Sequence, residues 1–130
     1  MEFATLIVML ALLQYTILTA MVGAQRGKHH IKAPAVSGNE AFERAFRIQQ
    51  NTLENLIVFI PCCFTFALFV SDLYVLIPGV TFLLGRGMYA RSYARDPGDR
   101  GPGFALTILA NIALVLGTLI GVTLSLLGLV

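Results

Sequence analysis

The chain has 130 residues, of which 57% are hydrophobic and 12% are charged, and its mean hydropathy is +0.80. These values exclude an ordinary soluble domain, in which about a quarter of the residues are charged. The formal net charge is only +2, and we expect no nucleic-acid partner.

Four apolar stretches follow one another along the chain, each close to the roughly 20 residues that an α-helix needs to cross a membrane. We therefore predict an all-α fold, an integral membrane four-helix bundle forming a single domain over residues 1–130. The helices are expected at about 3–25, 40–71, 73–95 and 104–129. The first stretch lacks the basic start of a secretory signal, and its apolar run is longer than such signals have, so we expect it to be retained.

The basic residues predict how the helices cross the membrane. The second connection holds only Ser71 and Asp72, whereas every Lys and Arg lies at or near the first and third connections. By the positive-inside rule these two connections face the cytoplasm, and both termini lie on the other side. Because the chain has no retrieval sequence, a bacterial inner membrane is favoured over the endoplasmic reticulum. The basic residues are Arg26, Lys28, Lys32, Arg44, Arg47, Arg86, Arg91, Arg95 and Arg100.

Two pairs of adjacent side chains have ordinary explanations. His29 and His30 diverge by about 100° on a helix, so we favour interfacial residues over metal ligands. Cys62 and Cys63 lie in an apolar helix, where two separate thiols are favoured over a vicinal disulfide. The sequence predicts no metal site. Asn111 is the strongly polar side chain of the last helix, and we expect it to form an interhelix hydrogen bond.

The second helix begins with a polar stripe. Asn39 can cap its start, and the residues that follow at steps of three or four share one face. Such groups at the edge of a membrane are costly unless they face protein or a polar ligand. The polar stripe could therefore form either a hydrogen-bonded network between helices or a binding site for a polar ligand. The stripe consists of Glu43, Arg47, Gln50, Asn51 and Glu54.

The end of the third helix adds a second group of polar side chains. Arg86, Tyr89 and Tyr93 share a face, and Arg100 follows in a connection rich in Gly and Pro. With the stripe, they combine guanidinium groups, a carboxylate, amides and phenols, which suit a small zwitterion with two carboxylates and one amine. By contrast, three further arginines are expected to be interfacial anchors. These are Arg44, Arg91 and Arg95.

The segment PAVSGNEAFERAFRIQQNTLE, residues 34–54, resembles the corresponding segment of the MAPEG family, the membrane-associated proteins of eicosanoid and glutathione metabolism. The likeness extends over essentially the whole chain. One family motif is matched by Glu43, Arg44, Arg47, Asn51 and Glu54. The second is matched by Arg86, Tyr89, Tyr93 and Arg100.

This resemblance implies a homotrimer with glutathione bound between neighbouring subunits at the cytoplasmic face. It implies conjugation of the glutathione thiolate to hydrophobic electrophiles or lipid substrates, with peroxidase activity toward lipid hydroperoxides as a further activity. Arg100 is then the catalytic residue that stabilises the thiolate. A non-catalytic lipid-binding or scaffold protein on the same fold is the alternative. The implied glutathione-binding residues are Arg26, Arg47, Gln49, Asn51, Glu54, Arg86, Tyr89 and Tyr93.

Three positions depart from the pattern of this family. Asn55 stands where relatives carry an aromatic residue, Ile57 stands where they carry Pro, and Gly27 stands where some carry a second Arg. These departures favour a general conjugating enzyme over a dedicated leukotriene synthase.

Overall fold

Four long helices and two short helical turns make up almost the whole chain. The computed structural model describes residues 1–130. The helices are α1 (Glu2–His29), α2 (Glu40–Phe66), α3 (Leu76–Arg95) and α4 (Gly101–Leu126). A π-helical turn, Ala67–Ser71, continues α2, and a 3-10 turn, Pro97–Arg100, leads into α4. The prediction of an all-α four-helix fold is confirmed.

The helix ends follow from local sequence. The side-chain oxygen of Asn39 accepts hydrogen bonds from the main-chain N–H groups of Ala41 and Phe42 at 2.8 and 3.2 Å, which caps α2 as predicted. The α1 helix continues past residue 25 and stops at His30, whose left-handed backbone, with φ of 55°, ends the hydrogen-bonding pattern. Pro102 lies in the first turn of α4, where a missing N–H costs nothing.

Three of the helical segments are long and apolar enough to cross a membrane. They are Glu2–His29, Glu40–Ser71 and Pro97–Leu126. The α3 helix has 20 residues, but its second half carries three arginines, which lower its hydropathy. Its first half packs in the core, where the Phe82 ring stacks on that of Phe59 with centroids 3.7 Å apart.

The α3 and α4 helices approach closely because glycines face each other. An added Cβ at Gly103 would lie 2.7 Å from Tyr89 Cα and 2.8 Å from Gly85 O, which are both main-chain atoms. An added Cβ at Gly85 would in turn meet the main chain of Thr107 at 2.9 Å. This close contact fixes the register between α3 and the start of α4.

We expect Gly103→Ala to destabilise the protein by about 1–3 kcal/mol, because the added methyl group has to push main chain apart. Thermal unfolding in detergent measures the change. Gly101→Ala is the matched control, since a Cβ at Gly101 meets nothing within 4 Å. Equal midpoints for the two variants would contradict the close contact.

The opposite end of the bundle is held by Asp72, which lies between α2 and α3. Its carboxylate lies 2.7 Å from the ammonium group of Met1 and accepts the main-chain N–H groups of Phe3 and Ala4 at 3.2 and 3.0 Å. The ammonium group and these N–H groups lower the pKa of the Asp72 carboxyl. The first turn of α1 is thereby tied to the α2–α3 turn.

Candidate active site

A cleft of about 280 Å³ opens at the end of the bundle that carries the basic connections. It lies where α2, the end of α3 and the start of α4 meet. Four of its six lining residues belong to the predicted site, and Gly101 and Phe104 complete it. The four predicted residues are Arg47, Asn51, Tyr89 and Arg100.

Arg47 and Glu54 lie two turns apart on the same face of α2. The Nη1 atom of Arg47 is 3.7 Å from Oε1 of Glu54, and the two side chains are 53% and 58% exposed. An ion pair this open contributes little to stability. Both charged groups are therefore accessible to a further polar group beside the cleft.

Arg86 lies behind the cleft. The sequence prediction placed it among the ligand-binding residues, but the structure leaves it only 1% exposed. Its Nη1 atom donates to Oδ1 of Asn51 at 2.7 Å and to Oγ1 of Thr52 at 3.2 Å, and its Nε atom donates to Oγ1 of Thr107 at 3.1 Å. Arg86 thus joins α2, α3 and α4 and orients Asn51, whose side chain lines the cleft.

Tyr89 lines the cleft, and Tyr93 packs beside it without lining the cleft. The rings of Tyr89 and Tyr93 stack with centroids 5.4 Å apart, and the guanidinium carbon of Arg86 lies 4.3 Å from the centroid of the Tyr89 ring. Tyr89 is buried against Leu18 and Ile48. Burial on one side and the arginine on the other fix the position of its ring.

Two predicted site residues, Arg26 and Gln49, lie away from the cleft and contact other parts of the chain. The Nη1 atom of Arg26 donates to the main-chain oxygen of Ala35 at 2.7 Å, and its guanidinium lies 4.8 Å from the centroid of the Phe42 ring. The Nε2 atom of Gln49 donates to Oγ1 of Thr19 at 3.0 Å, so it faces α1. The cleft therefore gathers only part of the predicted set.

Sequence reasoning missed several parts of the site. Thr52 and Thr107 accept from Arg86, but a threonine in an apolar helix carries no signal of such a role. Asn111 donates from Nδ2 to Oδ1 and the main-chain oxygen of Asn55 at 3.4 and 3.5 Å, so its predicted interhelix hydrogen bond is confirmed. The position of Asn55 beside it was not foreseen.

The remaining polar groups have structural roles. Arg44, predicted to be an interfacial anchor, pairs with Glu40 and donates to the main-chain oxygens of Ala94 and Arg95 at 3.3 and 3.2 Å. It therefore ties the start of α2 to the end of α3. Cys62 and Cys63 are free thiols. No group of three or more His, Cys, Asp or Glu side chains is placed to hold a metal ion.

Comparison with known proteins identifies the family. The model of the MAPEG family matches residues 4–120. An uncharacterized protein of Synechocystis sp. is 41% identical over 117 residues, which are 90% of this chain and 85% of that protein. Microsomal glutathione S-transferase 2 of Homo sapiens is 32% identical over 104 residues, 78% of this chain and 71% of the human protein.

Leukotriene C4 synthase of Rattus norvegicus is 30% identical over 97 residues, 75% of this chain and 64% of the rat protein. The resemblance inferred from the two sequence motifs is therefore confirmed, and the apolar helices belong to a membrane protein. The match over nearly the whole length of the chain shows that it belongs to the MAPEG family.

Proposed function

We propose that this protein is a membrane-embedded glutathione transferase that conjugates glutathione to hydrophobic electrophiles, with peroxidase activity toward lipid hydroperoxides as a further activity. The observation that carries the proposal is the cleft in which Arg47 and Arg100 converge with Asn51 and Tyr89. Relatives named as a glutathione transferase and a leukotriene synthase support the same class of reaction.

The donors of the cleft fit glutathione in charge and in hydrogen-bonding type. Arg47 presents a guanidinium group suited to a carboxylate, and Glu54 beside it can accept an ammonium group. Asn51 adds an amide, and Arg86 holds that amide in place from behind. One donor of Arg86, Nη2, has no partner within the chain. An acceptor that reached it would remove the cost of an unpaired buried donor.

Arg100 is the residue we assign to catalysis. Glutathione supplies a thiol, and its ionised form is the nucleophile that bonds to the electrophilic carbon as the leaving group departs. A cation beside the sulfur favours the ionised form. Arg100 lies at the end of the 3-10 turn and lines the cleft, and its exposed side chain can approach a ligand bound there.

We further propose that the working form is a homotrimer with its site between neighbouring subunits. The exposed pair of Arg47 and Glu54 would be costly beside lipid, and a neighbouring subunit would cover it. Arg26 and Gln49 face away from the cleft of their own subunit, so we assign them to a neighbour's site. By the positive-inside rule the site faces the cytoplasm, and the cyanobacterial relative favours a bacterial inner membrane.

The test is to purify the protein in detergent, determine its oligomeric state, and titrate it with glutathione while recording ultraviolet thiolate absorbance. We expect a trimer, saturable formation of thiolate near neutral pH, and turnover of a chlorinated nitrobenzene. Binding of fatty acids with neither a thiolate signal nor turnover would overturn the proposal in favour of a lipid-binding scaffold.

A further inference from the structure

A second groove opens between α1 and α3, beside the start of α2, at the end of the bundle that carries the basic connections. This α1–α3 groove encloses about 160 Å³, and seven of its nine lining residues are hydrophobic. Leu18 and Ile48 are its buried lining residues, whereas Gln25 and Arg44 give it a polar part. None of its lining residues lines the cleft of the candidate active site, so the two are separate.

The α1–α3 groove has a definite depth in the membrane. Its deep end lies near Gln14, one turn before Leu18, where Nε2 of Gln14 donates to the main-chain oxygen of Leu83 at 3.1 Å and joins α1 to α3. From Leu18 to Gln25 the groove follows α1 for about 10 Å. This length is about a third of the roughly 30 Å hydrocarbon core. The groove therefore lies within a single leaflet.

Positive charge surrounds the other end of the groove. Arg44 lies there, but its charge is offset by Glu40. Lys28 follows Gln25 by three residues and shares its face of α1. Arg95 adjoins the groove, because its main-chain oxygen accepts from Nη1 of Arg44 at 3.2 Å. The side chains of Lys28 and Arg95 are exposed and form no ion pair in the chain.

The α1–α3 groove also faces away from the surfaces that we assign to a neighbouring subunit. Ala45, which lines the groove, is nine residues from Glu54, and this spacing puts the two on opposite sides of α2. Met21, another lining residue, is two residues from Thr19, which meets Gln49. Met21 and Thr19 consequently diverge by about 160° on α1. In the proposed trimer the groove is thus left open to lipid.

A lipid fits this groove better than a protein partner does. Specific protein interfaces bury about 800 Å² on each partner, and a groove about two helical turns long does not offer such an area. An anionic phospholipid, by contrast, combines an apolar chain for the walls with a phosphate for the cations at the membrane surface. We propose that the α1–α3 groove binds one acyl chain of an anionic glycerophospholipid, whose phosphate contacts Lys28 and Arg95.

The experiment titrates the purified protein in detergent, without glutathione, with phosphatidylglycerol or with phosphatidylcholine of the same acyl chains. Native mass spectrometry counts the bound lipids. We expect one phosphatidylglycerol per subunit to bind about 25-fold more tightly than phosphatidylcholine, because each of two cations near a phospholipid headgroup contributes about fivefold. Glycerol phosphate, which has no acyl chain, and a free fatty acid of the same length should both bind more weakly than phosphatidylglycerol.

Two pairs of variants test whether the lipid occupies this groove. Lys28→Gln should lower the preference for phosphatidylglycerol about fivefold. Its control is Lys32→Gln, which removes an exposed lysine of the connection after α1 and should leave the preference unchanged. Ala94→Phe places a ring in the groove and should abolish tight binding. Ala24→Phe adds the same ring at an exposed position of α1 outside the groove and should have no effect.

Equal affinity of the wild type for the two phospholipids, or a preference that survives Ala94→Phe, overturns the inference. Equal losses in Lys28→Gln and Lys32→Gln do the same, as does a fatty acid or glycerol phosphate that binds as tightly as phosphatidylglycerol. Absence of any bound lipid, as when a second copy covers the groove, also overturns it. The comparison of phospholipids on the wild type decides the question even if Ala94→Phe fails to fold. Because glutathione is absent, none of these outcomes depends on the transferase function.

Discussion

Replacing Arg100 by Ala is expected to lower kcat/KM for glutathione conjugation by about 10²–10³-fold, the usual loss when a single group that stabilises developing or localised negative charge is removed. The guanidinium of Arg100 lines the cleft with Arg47, Asn51 and Tyr89, so its loss removes positive charge from the place where the thiolate would form. Steady-state kinetics measure kcat/KM, and ultraviolet absorbance measures formation of the thiolate. Both quantities should fall together.

Two further variants make the Arg100 result specific. Arg100→Lys keeps the positive charge but loses the planar guanidinium group with its paired N–H donors. This variant should retain part of the thiolate signal. Arg91→Ala removes an exposed arginine from α3 that does not line the cleft, and it should behave as wild type. If Arg91→Ala reduced activity as much as Arg100→Ala, a general loss of positive charge would explain the result.

Replacing Asn51 by Leu is expected to destabilise the protein by about 1.5–3 kcal/mol, the usual loss for a hydrogen bond to a charged group. Oδ1 of Asn51 accepts the 2.7 Å hydrogen bond from Nη1 of Arg86. Without it, a guanidinium that is almost fully buried keeps only the hydroxyl groups of Thr52 and Thr107. Thermal unfolding in detergent and the KM for glutathione report the change.

The double variant Arg86→Met, Asn51→Leu tests whether the unsatisfied guanidinium of Arg86 causes the loss of stability in Asn51→Leu. Removing the arginine as well takes away the unsatisfied buried charge, and an apolar replacement of matching size is often tolerated. The double variant should therefore be more stable than Asn51→Leu alone while its KM for glutathione stays raised. Strictly additive losses would show that the two residues act independently.

Much of the fold could be predicted from patterns within single segments. The four apolar runs predicted the helices, and Asn39 before a polar stripe predicted the start of α2, because an N-cap acts within three residues of itself. Regular spacing also brought Arg47 and Asn51 onto one face, and the structure places them on the same cleft. Spacing at the end of α3 and the connection that follows also pointed to Tyr89 and Arg100, and the resemblance to a known family then supplied their roles.

The rest depended on contacts between helices, which no local pattern contains. Arg86 shares its spacing with Tyr89, yet it is buried behind the cleft because Gly85 and Gly103 let α4 approach α3 and bring Thr107 within reach. Gln49 belongs to the same helix as Arg47 but points toward α1, since residues two apart on a helix diverge by about 160°. The spacing places a residue on a face, and only packing decides what that face meets.

Asp72 binds the beginning of the chain through the main chain of residues 3 and 4 rather than through their side chains. The hydrogen bonds to Asp72 therefore require only an amide hydrogen at each position, although the fully buried Ala4 must also fit the core. Among homologous sequences, proline should be missing at these two places wherever an aspartate or glutamate occupies position 72, while position 3 should vary widely and position 4 should keep a small residue.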